Sequence, residues 1–216
     1  MKNRYAVFFD FDNTITTFDT LDDIILRFSI NRNWVKLERE WKAKRIGSDV
    51  CLKGQLGGVR IDKKSLSSYL ETVKIDPYFY RLAGLLTRNK IRPVVLSDNF
   101  DYIIGRVLKH KNGMGPKVYA NKLRFSGERL LPTFPYSDRK CRLCGHCKTK
   151  NLLADNNNNS IIIYIGDGIS DTCPAGHADI VFAKGHLLEY GRKNRLGFIA
   201  YNNLKDVYRN LERILR

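Results

Sequence analysis

The chain has 216 residues, 43% hydrophobic and 11% aromatic: enough for one sizeable core plus a smaller inserted unit, and too apolar for a disordered chain. No apolar run approaches the ~18 residues of a membrane crossing, and the apolar part of MKNRYAVFFDFDN is too short for a secretion signal, so the expected setting is the cytoplasm with no membrane partner. A net charge of +16, from 38 Lys+Arg against 22 Asp+Glu, suits an anionic small molecule or a nucleic acid. The basic residues are scattered along the chain, which disfavours nucleic acid.

The first element is Tyr5–Phe9, an apolar run that ends at Asp10 and Asp12. Continuous hydrophobicity is what a parallel strand buried on both faces requires. Open α/β sheets place their sites beyond the carboxyl ends of such strands, which puts FDFDNT, with Asp10, Asp12 and Thr14, at a site. Two carboxylates so close need a cation or a proton to separate their roles. Asp10 is then a nucleophile towards phosphorus. Asp12, protonated, donates to the leaving alkoxide and later takes a proton from water. A D-x-D pair alone equally describes a solvated loop.

A long interval without a strand follows. Leu21, Ile24, Ile25 and Phe28 have helical spacing, and Trp34, Leu37 and Trp41 fit a second helix. Ser48 would cap a third helix and Asp62 a fourth, through Leu66, Tyr69, Leu70 and Val73. Asp76–Pro77 opens another. Roughly fifty residues are too many for a simple crossover. Residues 16–74 are therefore read as a small helical cap, and 1–15 with 75–216 as the α/β core. Arg45 and Gln55 are candidate substrate contacts, with solvated helix faces the favoured reading.

The second strand, Arg92–Leu96, leads to Ser97, whose hydroxyl and nearby amides can hold a phosphoryl oxygen. Asp98 and Asn99 join Thr14 and Ser97 as candidate substrate-binding residues. An acid beside an anion must face elsewhere, so Asp98 is read as the cap of the helix Phe100–Leu108, or else as a partner for a substrate ammonium. Tyr119–Phe125 is expected to form a short hairpin through Asn121–Lys122, on the opposite side of the site.

Five cysteines, Cys51, Cys141, Cys144, Cys147 and Cys173, do not make a secreted disulfide framework. Cys141, Cys144 and Cys147 with His146 could supply four Zn²⁺ ligands. Adjacent His146 and Cys147 fit one tetrahedral ion poorly, so the favoured reading is a loop of buried thiols that positions Lys148. Lys148 starts the helix Lys148–Ala154, where its ammonium can neutralise charge between Asp10 and a phosphoryl group. Asn156–Asn159 reads as a turn.

The third strand, Ile161–Ile165, runs into Gly166, Asp167 and Asp171. Asp167 can supply an oxygen ligand to Mg²⁺ beside Asp10 and the main-chain carbonyl of Asp12. Asp171 is placed with this metal set, orienting a water ligand or a neighbouring lysine. Strands at Ile180–Phe182 and Phe198–Ala200 and the helix Leu204–Leu215 complete the chain. The alternation gives a Rossmann-like, doubly wound, mostly parallel α/β sheet with a helical cap inserted after the first strand.

DFDNT, LSDN, Lys148 and GDGISD, in this order, resemble the four motifs of the haloacid dehalogenase-like phosphatases across essentially the whole chain. The resemblance implies Mg²⁺ and hydrolysis through a phospho-aspartate on Asp10. The helical insertion looks like the phosphoserine-phosphatase branch. CRLCGHCK and the tail after GDGISD look like a narrower group, the methionine-salvage phosphatases of a 2-hydroxy-3-keto-5-methylthiopentenyl phosphate and the phosphocholine/phosphoethanolamine phosphatases. Ser97–Asn99 and Cys173–Pro174 lean to the phosphocholine side, and TITTFD, with Asp19, to methionine salvage. The expected partner is a small phosphomonoester, and the expected assembly a monomer or homodimer. The alternatives are a phosphoserine phosphatase, from which Asp98–Asn99 depart, and a catalytically degenerate basic nucleic-acid-binding protein.

Overall fold

The computed structural model of the protein describes residues 5–109, 115–138, 141, 143–156 and 160–216. In chain order, β1 (Tyr5–Phe9) is followed by four helices, α1 (Thr20–Phe28), α2 (Asn33–Lys42), α3 (Ser48–Gly57) and α4 (Lys63–Leu70). Next come α5 (Phe79–Arg88), β2 (Val94–Phe100), α6 (Asp101–Leu108) and the pair β3 (Lys117–Ser126) and β4 (Arg129–Thr133). Then follow α7 (Lys148–Asp155), β5 (Ile161–Gly166), a 3₁₀ turn (Ile169–Asp171) and α8 (Thr172–Ala175). The remainder is β6 (Ile180–Ala183), α9 (Gly185–Lys193), β7 (Ile199–Ala200) and α10 (Leu204–Ile214). Among the described residues, no helix is long and apolar enough to cross a membrane.

The strands form one sheet in the order β4-β3-β2-β1-β5-β6-β7, parallel throughout except for the antiparallel β3–β4 pair. β1 lies at the centre because its side chains are apolar on both faces. Phe8 packs with Leu96, Leu152 and Tyr164 on one face, and Val7 and Phe9 join α5 and α10 on the other. Val7, Phe8 and Phe9 have no solvent exposure, and each such side chain stabilises the fold by roughly 1.5–3 kcal/mol. The Asp10 amide continues the ladder by donating to the Ile165 carbonyl at 2.9 Å. The chain therefore leaves the sheet directly after Asp10.

The inserted helices α1–α4 leave and rejoin the core side by side. Thr16 bridges Ile75, the Thr17 amide donates to the Lys74 carbonyl at 3.1 Å, and the Asp76 amide donates to the Ile15 carbonyl at 2.9 Å. Asp62 caps α4, accepting from the amides of Lys64 and Ser65 at 2.7 and 2.9 Å. Asp76 orders the turn before α5 through the Tyr78 amide, at 2.8 Å. Its other oxygen takes the Leu204 amide at 2.9 Å, so one buried acid secures two helix starts.

Several expectations need correction. The segment from Tyr119 to Phe125 does not fold back at Asn121–Lys122. β3 runs straight through, because the turn lies at Gly127, which holds the left-handed backbone (φ +58°) that glycine adopts without strain. Buried Asn121 instead donates to the Asp98 carbonyl at 2.6 Å. β2 extends past Ser97 to Phe100, its register against β3 shifting between Ser97 and Phe100. Asp98 does not cap α6; Asp101 takes the Tyr102 amide at 2.8 Å and the Leu123 amide at 3.2 Å. Ser48 is the first helical residue of α3 rather than its cap, and Gly47 holds the cap position. Of the expected turn Asn156–Asn159, residues 157–159 lie outside the described residues.

Candidate active site

The strand ends and the insertion enclose a cavity of about 320 Å³. Its floor carries Asp10, Asp12, Ser97, Asp98, Asn99, Lys148 and Asp167, and its opposite wall carries Asp19, Asp22, Glu38 and Trp41 of the insertion. Four separate strand or helix ends, far apart in sequence, meet here because parallel strands all terminate on one edge.

Lys148 is the hub. It is 3% exposed, and its ammonium donates to Asp10 at 2.6 Å and to Asp171 at 2.7 Å. Burial alone would discharge it, but Asp10, Asp171 and Asp98 outweigh burial and hold its pKa above the ordinary lysine range. Asp171 has no solvent exposure and accepts four donors. One oxygen takes Lys148 and the Tyr164 hydroxyl at 2.7 Å each, and the other takes the amides of Asp167 and Gly168 at 2.9 Å each. Gly166 is required here, because a Cβ on it would stand 2.5 Å from Asp171 Oδ2.

Asp10, Asp167 and Asp171 can bring carboxylate oxygens within 4.8 Å of one another, the one such grouping of metal-ligating side chains among the described residues. Burial, then Asp171, raises the Asp10 pKa against the pull of Lys148, with Asp167 adding to the rise. Burial and Asp171 push Asp167 up to about 6. Crowded buried carboxylates facing a single lysine form an all-oxygen donor set, and that set fits Mg²⁺. Asp10 and Asp167 have the freer oxygens, whereas those of Asp171 are already taken by protein donors.

The Asp12 carboxylate belongs to a different environment. Its oxygens accept from the Asn99 side chain at 2.8 Å and from the Thr20 amide at 2.9 Å, so its side chain is not part of the metal grouping. Burial, then Asp19, raises its pKa well above the carboxylate range, against the hydrogen bonds of Asn99 and Thr20.

Thr14 was expected among the substrate-binding residues, but it is 1% exposed and lies behind the cavity wall. Its hydroxyl donates to Asp167 Oδ1 at 3.0 Å and lies 3.4 Å from the Tyr201 hydroxyl. It thus orients a candidate metal ligand. The Ser97 hydroxyl accepts from the Asn99 amide at 3.0 Å. Asp98 accepts from the His146 amide at 3.3 Å. Burial raises its pKa, opposed first by Lys148 and the His146 amide.

The four candidate zinc ligands are not gathered. Cys141 and Cys144 have sulfurs 3.5 Å apart, but the His146 ring turns to Asn151, 2.9 Å from Nε2, and stacks edge-on to Tyr136. Burial, aided by Lys148, lowers the His146 pKa to about 3, so the ring is neutral. Burial pushes the Cys144 and Cys147 thiols up. This arrangement fits a loop packed ahead of Lys148.

Sequence reasoning missed several residues. Asp22, Glu38 and Trp41 line the cavity, but on paper they look like ordinary parts of amphipathic helices. Gln55, a candidate contact with a solvated face as the favoured reading, is 5% exposed and also lines the cavity. Arg45 does point outwards, paired with Glu40 at 2.6 Å. Tyr164, within β5, and Tyr201, just after β7, carried one faint signal: a buried phenol needs a partner.

The family model described as "Putative Phosphatase" matches residues 5–187. The chain belongs to this family. This phosphatase is 29% identical over 214 residues to the 2-hydroxy-3-keto-5-methylthiopentenyl-1-phosphate phosphatase of Bacillus cereus (strain AH187), covering 97% of the chain and 96% of the relative. Its fold matches phosphoserine phosphatase from T. onnurineus with a TM-score of 0.69, at 16% identity and 96% coverage of both chains. It also matches a structure of a phospho-aspartyl intermediate analogue of phosphoserine phosphatase, with a TM-score of 0.71, 16% identity, and 97% and 99% coverage. The family makes it a phosphatase, and its fold is the one shared with these phosphoserine phosphatase structures.

Proposed function

We propose that the phosphatase is a Mg²⁺-dependent hydrolase of a small phosphomonoester that works through an aspartyl-phosphate on Asp10. The observation that carries this reading is the pair of contacts from Lys148 to Asp10 and Asp171, at 2.6 and 2.7 Å. They fix a buried cation where charge builds up as Asp10 meets phosphorus. Asp10 and Asp167 would hold Mg²⁺, with the main-chain carbonyl of Asp12. When bound, the ion supplies Lewis-acid stabilisation of the phosphoryl oxygens.

The chain's own residues supply the rest. Asp10 attacks phosphorus, forming the acyl-phosphate bond as the bond to the leaving oxygen breaks. Asp12, whose pKa burial raises, gives that oxygen its proton. The carboxylate left on Asp12 then takes a proton from the water that attacks the acyl-phosphate, which frees Asp10 and phosphate. Asn99 and the Thr20 amide hold Asp12 for both transfers. Ser97 stands where a phosphoryl oxygen needs a donor. Helices α1–α4 act as a cap that keeps bulk water from the acyl-phosphate.

For the leaving alcohol, a relative that matches over 97% of the chain supports a substrate of the methionine-salvage type. The wall of the cavity favours a second reading. Asp19, Asp22 and Glu38 beside the Trp41 ring suit an amine-bearing alcohol, as in phosphocholine or phosphoethanolamine. Steady-state hydrolysis of these compounds and of phosphoserine, compared with Asp10→Asn, is the test. Mg²⁺-dependent turnover that disappears in Asp10→Asn supports the mechanism; full activity in that variant refutes it. The compound with the highest kcat/KM decides between the two readings.

A further inference from the structure

Ser48 is 7% exposed, and it joins the cap to the loop that precedes the catalytic lysine. Its amide donates to the Leu143 carbonyl at 2.9 Å, and its hydroxyl accepts from the Gly145 amide at 2.6 Å. Asp98 takes the amide of His146, the residue between Gly145 and Cys147. The Cys147 amide in turn donates to the Tyr136 carbonyl at 2.9 Å, just before Lys148 begins α7.

The approach is close enough to demand glycine. A Cβ on Gly145 would stand 3.0 Å from the Asp49 nitrogen and the Phe134 ring, and 3.1 Å from Asp49 Cα. The first turn of α3 therefore rests directly on the backbone of this loop. By contrast, the two connections at Thr16–Thr17 and Lys74–Asp76 tie the base of the cap to the core. Ile61 and Ser67 meet the core elsewhere, the Ile61 amide donating to the Glu128 carbonyl at 2.9 Å and the Ser67 hydroxyl lying 2.6 Å from that of Tyr102, whereas Ser48 reaches the loop ahead of Lys148.

We infer that Ser48 is a positioning residue: it clasps the cap to the Leu143–Gly145 turn, so that docking of the cap and alignment of the Lys148 loop are a single event. Without its hydroxyl, the buried Gly145 amide has no acceptor, which penalises the docked arrangement. Ser48 also lines the cavity, but its hydroxyl is turned to the Gly145 amide. The effect of Ser48 and Gly145 runs through the geometry of Lys148 and Asp98.

This inference rests on the proposed action of α1–α4 as a cap, and a double-mutant cycle in the full chain tests it. Ser48→Ala and Gly145→Ala are each expected to lower kcat on p-nitrophenyl phosphate about tenfold. The double variant is expected to be no slower than the worse single one, because both break one clasp. Hydrogen exchange in Ser48→Ala should speed up at residues 143–148 and at the start of α3 while the sheet stays protected. Additive losses of about a hundredfold, or unchanged exchange at residues 143–148, overturn the inference. If Gly145→Ala fails to fold, the exchange pattern of Ser48→Ala decides alone. A wild-type chain that hydrolyses no phosphomonoester would sink the proposed function, and the exchange measurement would still decide the clasp.

Discussion

Lys148 and Tyr164 converge on a single oxygen, Oδ1 of Asp171, each at 2.7 Å. The other oxygen of Asp171 is filled by the amides of Asp167 and Gly168, so this acid holds both the lysine and the turn that carries a candidate metal ligand. Asp171→Asn cannot accept at its amide nitrogen. It should weaken Mg²⁺ binding by about 10–100-fold and lower kcat, measured by calorimetric titration and steady-state kinetics. Tyr164→Phe removes one hydrogen bond and should cost about 1 kcal/mol of stability, with a much smaller loss of activity.

Lys148→Ala leaves Asp10 and Asp171 buried without their cation. Breaking such a pair costs about 3–5 kcal/mol, and loss of the charge at the phosphoryl site should lower kcat by a hundredfold or more. Denaturant unfolding and turnover measure the two effects. Lys148→Arg should not restore activity, since a planar fork cannot take the place of a point charge enclosed by Asp10 and Asp171.

Asp12→Asn separates proton transfer from nucleophilic attack. An alkyl phosphate needs its leaving oxygen protonated, whereas p-nitrophenolate leaves without help. The rate loss should therefore be at least tenfold greater for an alkyl than for an aryl phosphomonoester. Equal losses on both would remove Asp12 from the role of general acid.

The acid wall has a consequence for stability. Burial, then Asp19 and Glu38, push Asp22 up to about 7, against Lys42. A carboxyl whose pKa is raised in the folded state favours folding most below its unfolded pKa of about 3.9. That contribution is lost as pH climbs through the range up to about 7. Asp22→Asn should thus melt higher than wild type at pH 8, and the gap should close by pH 4. Asp22 lines the cavity, yet much of its surface faces solvent, so screening weakens the effect of burial and keeps the shift to a few degrees at most. Thermal melts across that range would show it.

Much of this architecture was legible in the sequence, and the reason is physical. Tyr5–Phe9 and Ile161–Gly166 are apolar without alternation, which only a two-sided burial explains, and each hands its acids to the same sheet edge. Lys148 was legible from its place between two strand signals. The parts that failed were those in which a polar side chain had several partners to choose from. Asp98 could cap a helix locally, yet Phe100 holds the cap position of α6 without a side-chain bond, and Asp98 met the His146 amide, 48 residues away. Thr14 sits within the first motif but serves Asp167, 153 residues on. Ser48 looked like a cap because serine commonly is one, and nothing in its neighbours announces Gly145. Such pairings are set by tertiary packing, which local spacing does not encode.

The most direct test of the account is to locate the covalent phosphate. Wild-type protein should be mixed with a phosphomonoester and Mg²⁺, quenched in acid during turnover, trapped by reduction of the acyl-phosphate, and mapped by mass spectrometry. The modification should fall on the peptide containing Asp10, and should disappear in Asp10→Asn and without Mg²⁺. A modification on any other residue, or full turnover with no acyl-phosphate formed, would contradict the central claim.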